Sequence, residues 1–339
     1  VAAGTDLDDL VARARDGSPR AVAQLISLVE DGGSGSGSGG GSARARDLAA
    51  ALAPHTGHAV VVGLTGSPGV GKSTTTSALV SALRADDRRV GVLAVDPSSP
   101  FSGGALLGDR VRMSEHATDP GVFIRSMATR GHLGGLAAAA PQALRVLDAA
   151  GCDVVLVETV GVGQSEVEVV ALADTTVVLL APGMGDGVQA AKAGVLEIAD
   201  VFCVNKADRE GADATVREVQ NAMAMSRRGT GPGWRTPVVR TVASAGVGVD
   251  DLLAAIDAHR AWTVAHGRGD EGRRRRARAE VEAIALGDLR AQLRAVSGSA
   301  ALDALAVAVA AGELDPFAAA DRLRTAAVSA DAADGVYGE

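Results

Sequence analysis

Gly66-Ser-Pro-Gly-Val-Gly-Lys72-Ser73 fits the pattern G-x-x-x-x-G-K-[ST]. It follows the apolar run Val60-Val-Val-Gly-Leu64 and leads into a helical pattern from Thr74 to Arg84. The order of strand, glycine-rich turn and helix gives the letters their weight. Glycines let the backbone curl so that successive N–H groups face one centre, and a helix N-terminus there favours an anion. In such a loop Gly66, Ser67, Pro68, Gly69, Val70, Gly71, Lys72, Ser73 and Thr74 would surround a polyphosphate. Lys72 would reach its β- and γ-phosphates, and the Ser73 hydroxyl would ligate Mg²⁺.

Outward from this loop, residues 58–262 alternate strand and helix. Strand candidates are Val60–Leu64, Val90–Val95, Val122–Arg125, Val154–Val157, Thr176–Ala181, Val201–Val204 and Val238–Val242. They are apolar on both faces, as strands of a parallel sheet covered by helices must be. Segments 187–199, 213–226 and 249–260 carry helical periodicity. The expected fold is a doubly wound α/β sheet of the P-loop NTPase kind.

On the N-terminal side, residues 5–30 show two short helical patterns. The run Gly32–Ser42, all glycine and serine, has no apolar area to bury and reads as a flexible tether. A short helix over about 43–53 follows. Beyond 263 only helices are expected: Arg273 to about Val296, 300–311 and 316–329, with Asp315 before Pro316 as an N-cap and first-turn pair. The domain reading is an N-terminal helical extension over 1–57 with its linker at 32–42, a nucleotide-binding domain over 58–262, and a helical arm over 263–339.

Composition limits the partners. The 339 residues are 47% hydrophobic and only 2% aromatic, and a net charge of −8 argues against general nucleic-acid binding. Arg273–Arg276 is a local exception that reads first as a solvated helix face. No apolar stretch approaches the ~20 residues of a membrane span. Val1-Ala-Ala-Gly-Thr-Asp6 lacks the charged and apolar regions of a secretion leader. Cys152 and Cys203 belong to no C-x-x-C or Cys/His cluster and read as buried hydrophobes. A cytoplasmic location is the expectation.

Asn205-Lys206-Ala207-Asp208 follows the strand Val201–Val204 and matches N-K-x-D. A carboxylate at the last position can accept from guanine N1–H and the 2-amino group, which adenine does not offer together. Sites built on such bonds reject the analogue lacking them by roughly 10⁴–10⁵. GTP is therefore expected over ATP. A further base contact is expected from the Ala243 N–H, in Thr241-Val242-Ala243 after the last strand. Two strands end in acids, Asp96 and Glu158, which suit the hard oxygen shell of Mg²⁺ beside substrate phosphates. Gly161 would let its N–H approach the γ-phosphate and so sense hydrolysis.

Taken together, Gly66–Ser73, Asp96-Pro-Ser-Ser99, Leu107-Gly-Asp109-Arg-Val-Arg-Met113, Glu158-Thr-Val-Gly-Val-Gly-Gln-Ser-Glu166 and Asn205–Asp208 resemble the MeaB/ArgK family, GTPase chaperones of adenosylcobalamin-dependent acyl-CoA mutases. The resemblance spans about residues 10–330. It implies a signal-recognition-particle/MinD-like GTPase domain with N-terminal helices and a C-terminal dimerising arm. It also implies a methylmalonyl-CoA mutase-type partner, with GTP hydrolysis to GDP gating cobalamin delivery, protection or repair. Carried over by position, Lys72, Asp96 and Glu158 are catalytic, and Ser73, Asp96, Asp109 and Glu158 surround Mg²⁺. Asp186, Gln189 and Lys192 resemble a further switch coupling nucleotide state to the mutase, although Met184-Gly-Asp-Gly-Val departs from the family pattern. Arg130 and His132 stand in a loop of the same resemblance. No water-orienting Gln or Arg finger follows Gly161 at Ras-like spacing, so slow intrinsic turnover is expected. The rival readings are a metallochaperone GTPase, for which the expected Cys/His cluster is missing, and a GTP-dependent kinase, for which no acceptor pocket is marked.

Overall fold

Seven parallel strands form where the apolar runs predict them. They are β1 (Val60–Thr65), β2 (Val90–Pro97), β3 (Val122–Thr129), β4 (Val154–Thr159), β5 (Thr175–Leu180), β6 (Val201–Val204) and β7 (Val238–Arg240). Their order is β3-β2-β4-β1-β5-β6-β7, with every neighbouring pair parallel. The computed structural model describes residues 7–32, 40–97, 113–129, 135–159, 172–183, 198–226, 233–297 and 300–334. It divides into two compact units, Val1–Ala277 and Arg278–Glu339.

Every residue of β1, β5 and β6 is buried, because helices cover both faces of the sheet. The pleat sends Val60, Val62 and Leu64 toward α4 (Lys72–Ala85) and α7 (Val249–Ala265), where Leu79, Val80, Leu83, Leu252 and Ile256 meet them. It sends Val61, Leu93, Val155 and Val157 the other way. There they pack with α1 (Leu7–Arg15), α2 (Pro19–Gly32), α3 (Gly40–Leu52) and α5 (Gly135–Ala149). The α6 helix (Ala212–Ser226) continues that layer over Val178, Leu180 and Phe202 through Val219. The N-terminal helices are thus part of the core: Leu25, Ile26, Leu48 and Leu52 are at most 1% exposed. Each such side chain contributes on the order of 1.5–3 kcal/mol by burial. The α3 helix starts at Gly40, inside the glycine–serine run, and residues 33–39 lie outside the described residues.

The α5 helix has no counterpart in the periodicity reading. Pro141 lies within it and removes one backbone donor, the usual sign of a helix end. Burial of Ala140, Ala143, Val146 and Leu147 on the N-terminal layer outweighs that loss. Of the helix expected at 187–199, nearly all lies outside the described residues.

The Arg273–Arg276 run is partly a structural tie. Arg276 donates to the Ala173 carbonyl (3.1 Å) and to Asp174 Oδ1 (2.5 Å), while Asp174 Oδ2 accepts the Val61 N–H at 2.9 Å. Arg273 pairs with Asp270 at the surface, and Arg274 and Arg275 are exposed. These residues open α8 (Arg268–Ser297). In the second compact unit, α9 (Ala300–Ala310) is followed by α10 (Pro316–Asp334), and Asp315 caps α10 by accepting the Phe317 and Ala318 N–H groups at 2.9 and 3.0 Å. Among the described residues no helix is long and apolar enough to cross a membrane.

A titrating pair sits at the N-terminal ends of β5 and β6. His259 Nδ1 lies 2.9 Å from the fully buried Thr175 hydroxyl, and Nε2 lies 3.3 Å from Asp200 Oδ1. Burial pushes His259 down to about 4, against the nearby negative charge of Asp174. Burial pushes Asp200 up to about 6, opposed by the Thr176 N–H and by Arg275. The neutral ring therefore accepts from Thr175 and turns its Nε2–H toward Asp200.

The raised Asp200 contributes stability below its unfolded pKa near 3.9 and loses it as pH rises through about 6. The depressed His259 contributes stability above about 6.5 and loses it as pH falls through about 4. In the wild type these opposite slopes largely cancel. On going from about pH 4.5 to 6.5, Asp200→Asn should gain more stability than wild type and His259→Gln less. Urea midpoints at the two pH values check this, and shifts of the same sign in both variants would refute it.

Candidate nucleotide site

The chain leaves β1 at Thr65 and turns through Gly66–Gly71 before α4 starts at Lys72. Two glycines are demanded by neighbours as well as by φ. A Cβ on Gly66 (φ 145°) would lie 2.3 Å from the Leu179 carbonyl oxygen, and one on Gly71 (φ 98°) would lie 2.4 Å from Asn205 Nδ2. Val70, 1% exposed, plugs the loop into the core beneath it. No side chain caps the start of α4, so its first N–H groups are left to the loop's concavity. Lys72 is buried, and its ammonium donates to the carbonyls of Gly66 (2.7 Å) and Ser67 (3.1 Å).

One helical face of α4 then meets the end of β4. The Ser73 hydroxyl donates to Glu158 Oε1 at 2.5 Å, and the Thr76 hydroxyl lies 2.9 Å from Oε2 of the same carboxylate. Glu158 is 4% exposed, level with Leu64 of β1 and Ala94 of β2 in register. An alcohol and a carboxylate meeting beside the phosphate loop form a hard-oxygen donor set of the kind Mg²⁺ takes. Asp96 stands near the C-terminal end of β2, its backbone opposite Ala128 of β3. Asp109, Gly161, Asp186, Gln189 and Lys192, with Arg130 and His132, lie outside the described residues.

The next turn of α4 holds the returning chain. Ser77 donates to Glu115 and lies 2.9 Å from His116 Nε2, and Arg84 pairs with Asp119 at 2.9 Å. Met113, 1% exposed, is buried against the same helix.

The Asn205–Asp208 segment is bolted to the phosphate loop. Asn205, 3% exposed, donates through Nδ2 to the Val70 carbonyl (2.9 Å). Its Oδ1 accepts from the Thr241 hydroxyl and the Ala243 N–H, both at 3.1 Å. Lys206 takes a left-handed φ of 56° and donates to the Gly69 carbonyl at 2.7 Å. Asp208 is exposed and its carboxylate has no hydrogen bond or ion pair among the described residues. The structure thus gathers Gly66–Thr74, Glu158, Asn205, Lys206 and Ala243 around one end of the sheet, where parallel strands finish.

Sequence reading missed Thr76, Ser77, His116 and Thr241 as contributors. Thr76 and Ser77 were within reach of it, since they stand three and four positions after Ser73 and share its helical face. His116 and Thr241 depend on tertiary pairing and leave no local mark.

A cavity of about 720 Å³ lies at the opposite ends of the strands, lined in part by Arg15, His55, Arg88, Asp148, Asp153 and Arg260. Two of its acids hold the backbone. Asp148 accepts the N–H groups of Gly57, His58 and Ala59, and Asp153 accepts that of Arg89. None of its lining residues belongs to the phosphate loop or to the Asn205 segment.

Comparison with known proteins agrees with this geometry. Residues 22–297 match the family described as Methylmalonyl Co-A mutase-associated GTPase MeaB. The chain is 48% identical over 318 residues to a relative in Pyrococcus abyssi named for GTPase activity, covering 94% of this chain and 95% of that one. It is 36% identical over 264 residues to the GTPase ArgK of Escherichia coli, covering 77% and 78%. A crystal structure titled LAO/AO transport system kinase superposes with a TM-score of 0.64 at 28% identity, over 94% of this chain and 96% of that one. With the phosphate loop, its bolted base-reading strand and these relatives in hand, the chain belongs to the MeaB family and is a P-loop GTPase.

Proposed function

We propose that the protein is a Mg²⁺-dependent GTPase that serves as chaperone to an adenosylcobalamin-dependent acyl-CoA mutase of the methylmalonyl-CoA type. GTP binding and hydrolysis to GDP and phosphate would gate cofactor loading, protection or repair. The observation that carries the nucleotide reading is the Asn205 bridge from the base-reading strand to Val70 of the phosphate loop. The mutase reading is supported by the family's description.

In this reading Lys72 turns from the loop carbonyls to the β- and γ-phosphates, and the N–H groups of Gly66–Thr74 cradle the phosphate oxygens. Ser73, Glu158, Asp96 and Asp109 would hold Mg²⁺, which when bound neutralises charge on the phosphates. Gly161 reports the γ-phosphate, and Asp186, Gln189 and Lys192 pass the nucleotide state to the mutase. Lys206 stiffens the wall between phosphates and base, the Ala243 N–H, which donates to Asn205 Oδ1 in this structure, would turn to the base, and Asp208 reads guanine. The site acts in the cytoplasm, without nucleic acid or membrane. The helical arm over 263–339 joins two copies, supported by the exposed apolar side chains Val281, Ile284, Leu289 and Phe317.

Three outcomes test this reading. Asp208→Ala should weaken GTP by about two orders of magnitude, since it removes two bonds to a charged acceptor, and leave ATP nearly unchanged. Equal losses in a calorimetric titration would show the base pocket misassigned. Intrinsic turnover should be on the order of 10⁻⁴–10⁻² s⁻¹ and rise when the mutase supplies the missing transition-state charge. Single-turnover rates that stay flat as mutase is added would remove the gating role. Val281→Glu combined with Leu289→Glu should halve the mass seen by light scattering with GTP affinity intact. An unaltered mass, or a monomeric wild type, would remove the arm's dimer role.

A further inference from the structure

Three hydroxyls stand on one face of α4: Ser73, Thr76 and Ser77. Ser73 belongs to the phosphate-loop pattern and Ser77 secures the returning chain. Thr76 is fully buried, and its hydroxyl lies within reach of two acceptors, the Lys72 carbonyl at 3.0 Å and Glu158 Oε2 at 2.9 Å. A helical threonine commonly donates back to the carbonyl four residues earlier. The carboxylate is the stronger acceptor, because a bond to an ionised group is shorter and about twice as strong as a neutral one.

The two oxygens of Glu158 therefore have separate duties. Oε1 faces Ser73 Oγ, and in the proposed reading these are the atoms that would turn to a metal at the phosphates. Oε2 faces away, into the buried helix, onto Thr76. That bond fixes one of the two oxygens of a side chain that hangs on rotatable single bonds at a strand end. A carboxylate ligand is tuned by the group that holds its non-ligating oxygen.

We infer that Thr76 is a positioning residue for the metal carboxylate: its hydroxyl holds Oε2 of Glu158 so that Oε1 and the Ser73 hydroxyl are presented together to Mg²⁺. This rests on the reading of Glu158 as a metal-site acid. In this reading Thr76 acts through Glu158 and would not itself be a ligand.

The test measures metal affinity directly, by electron paramagnetic resonance of Mn²⁺ titrated into the GDP complex of the full chain. It compares wild type, Thr76→Val, Thr76→Ser and Glu158→Gln. GDP affinity in EDTA is measured alongside, to separate metal from nucleotide. Thr76→Val keeps the shape and removes the donor. It should weaken Mn²⁺ by about 10-fold or more, the usual loss for such a partner, while metal-free GDP affinity stays at the wild-type value. Thr76→Ser should restore Mn²⁺ binding to within a few-fold. Should the valine variant not fold, Thr76→Ala carries the same expectation.

If Glu158→Gln weakens Mn²⁺ but Thr76→Val does not, the positioning role is overturned and the metal assignment stands. If neither moves Mn²⁺ affinity, the metal assignment of Glu158 falls, and the inference with it. If Thr76→Val lowers GDP affinity equally in EDTA, Thr76 acts on the phosphate loop and the inference is refuted.

Discussion

The hydrogen bond from Asn205 Nδ2 to the Val70 carbonyl holds the site together. A glycine-rich loop is soft, because glycine loses more backbone freedom on folding than any other residue. Here the loop is pinned from the end of a strand two places away in the sheet, by a side chain whose amide nitrogen holds Val70 while its oxygen draws in Thr241 and Ala243. The amide makes three bonds in a buried setting, where an unmade bond is costly. That makes its geometry stiff. The absence of a Cβ on Gly71 is what lets the amide approach. The phosphate loop and the Asn205 segment are therefore a single mechanical object, despite more than a hundred residues of intervening chain.

The sheet that carries this object was legible because burial on both faces leaves a strong pattern. The fully buried β1, β5 and β6 are dominated by valine and leucine, while the short edge strand β7 at Val238–Arg240 is only partly covered. The phosphate loop, the Glu158 strand end and the Asn205 segment were legible because their chemistry requires particular residue types at fixed offsets. The α5 helix was not, since Pro141 mimics a helix end and its compensation comes from partners far away in sequence. Helical spacing puts Thr76 on the face of Ser73, but it does not reveal the bond Thr76 makes. A threonine in a helix has a local acceptor in the preceding turn, and nothing local says that Glu158 competes for its proton.

The N-terminal helices show how composition can mislead about organisation. A glycine–serine run between α2 and α3 suggests an appended segment, yet both helices place large side chains deep in the layer over Val155 and Val157. Burial was readable in their apolar faces. Their partner was not, because an amphipathic face says only that something must cover it. In the same way Arg276, one of four consecutive arginines, reads as solvated until Asp174 is seen to hold both it and the Val61 N–H.

Lys72 carries a last consequence. Its ammonium is dried and coordinated by main-chain oxygens of Gly66 and Ser67 within the fold itself. Removing a cation from water is among the larger penalties a protein can incur. Here that penalty is met when the chain folds, not when a ligand arrives. On the reading of this loop as a phosphate cradle, an incoming phosphate would trade oxygen for oxygen around an already dehydrated cation. Selectivity for polyphosphates would then come from how much better their charged oxygens serve than peptide carbonyls.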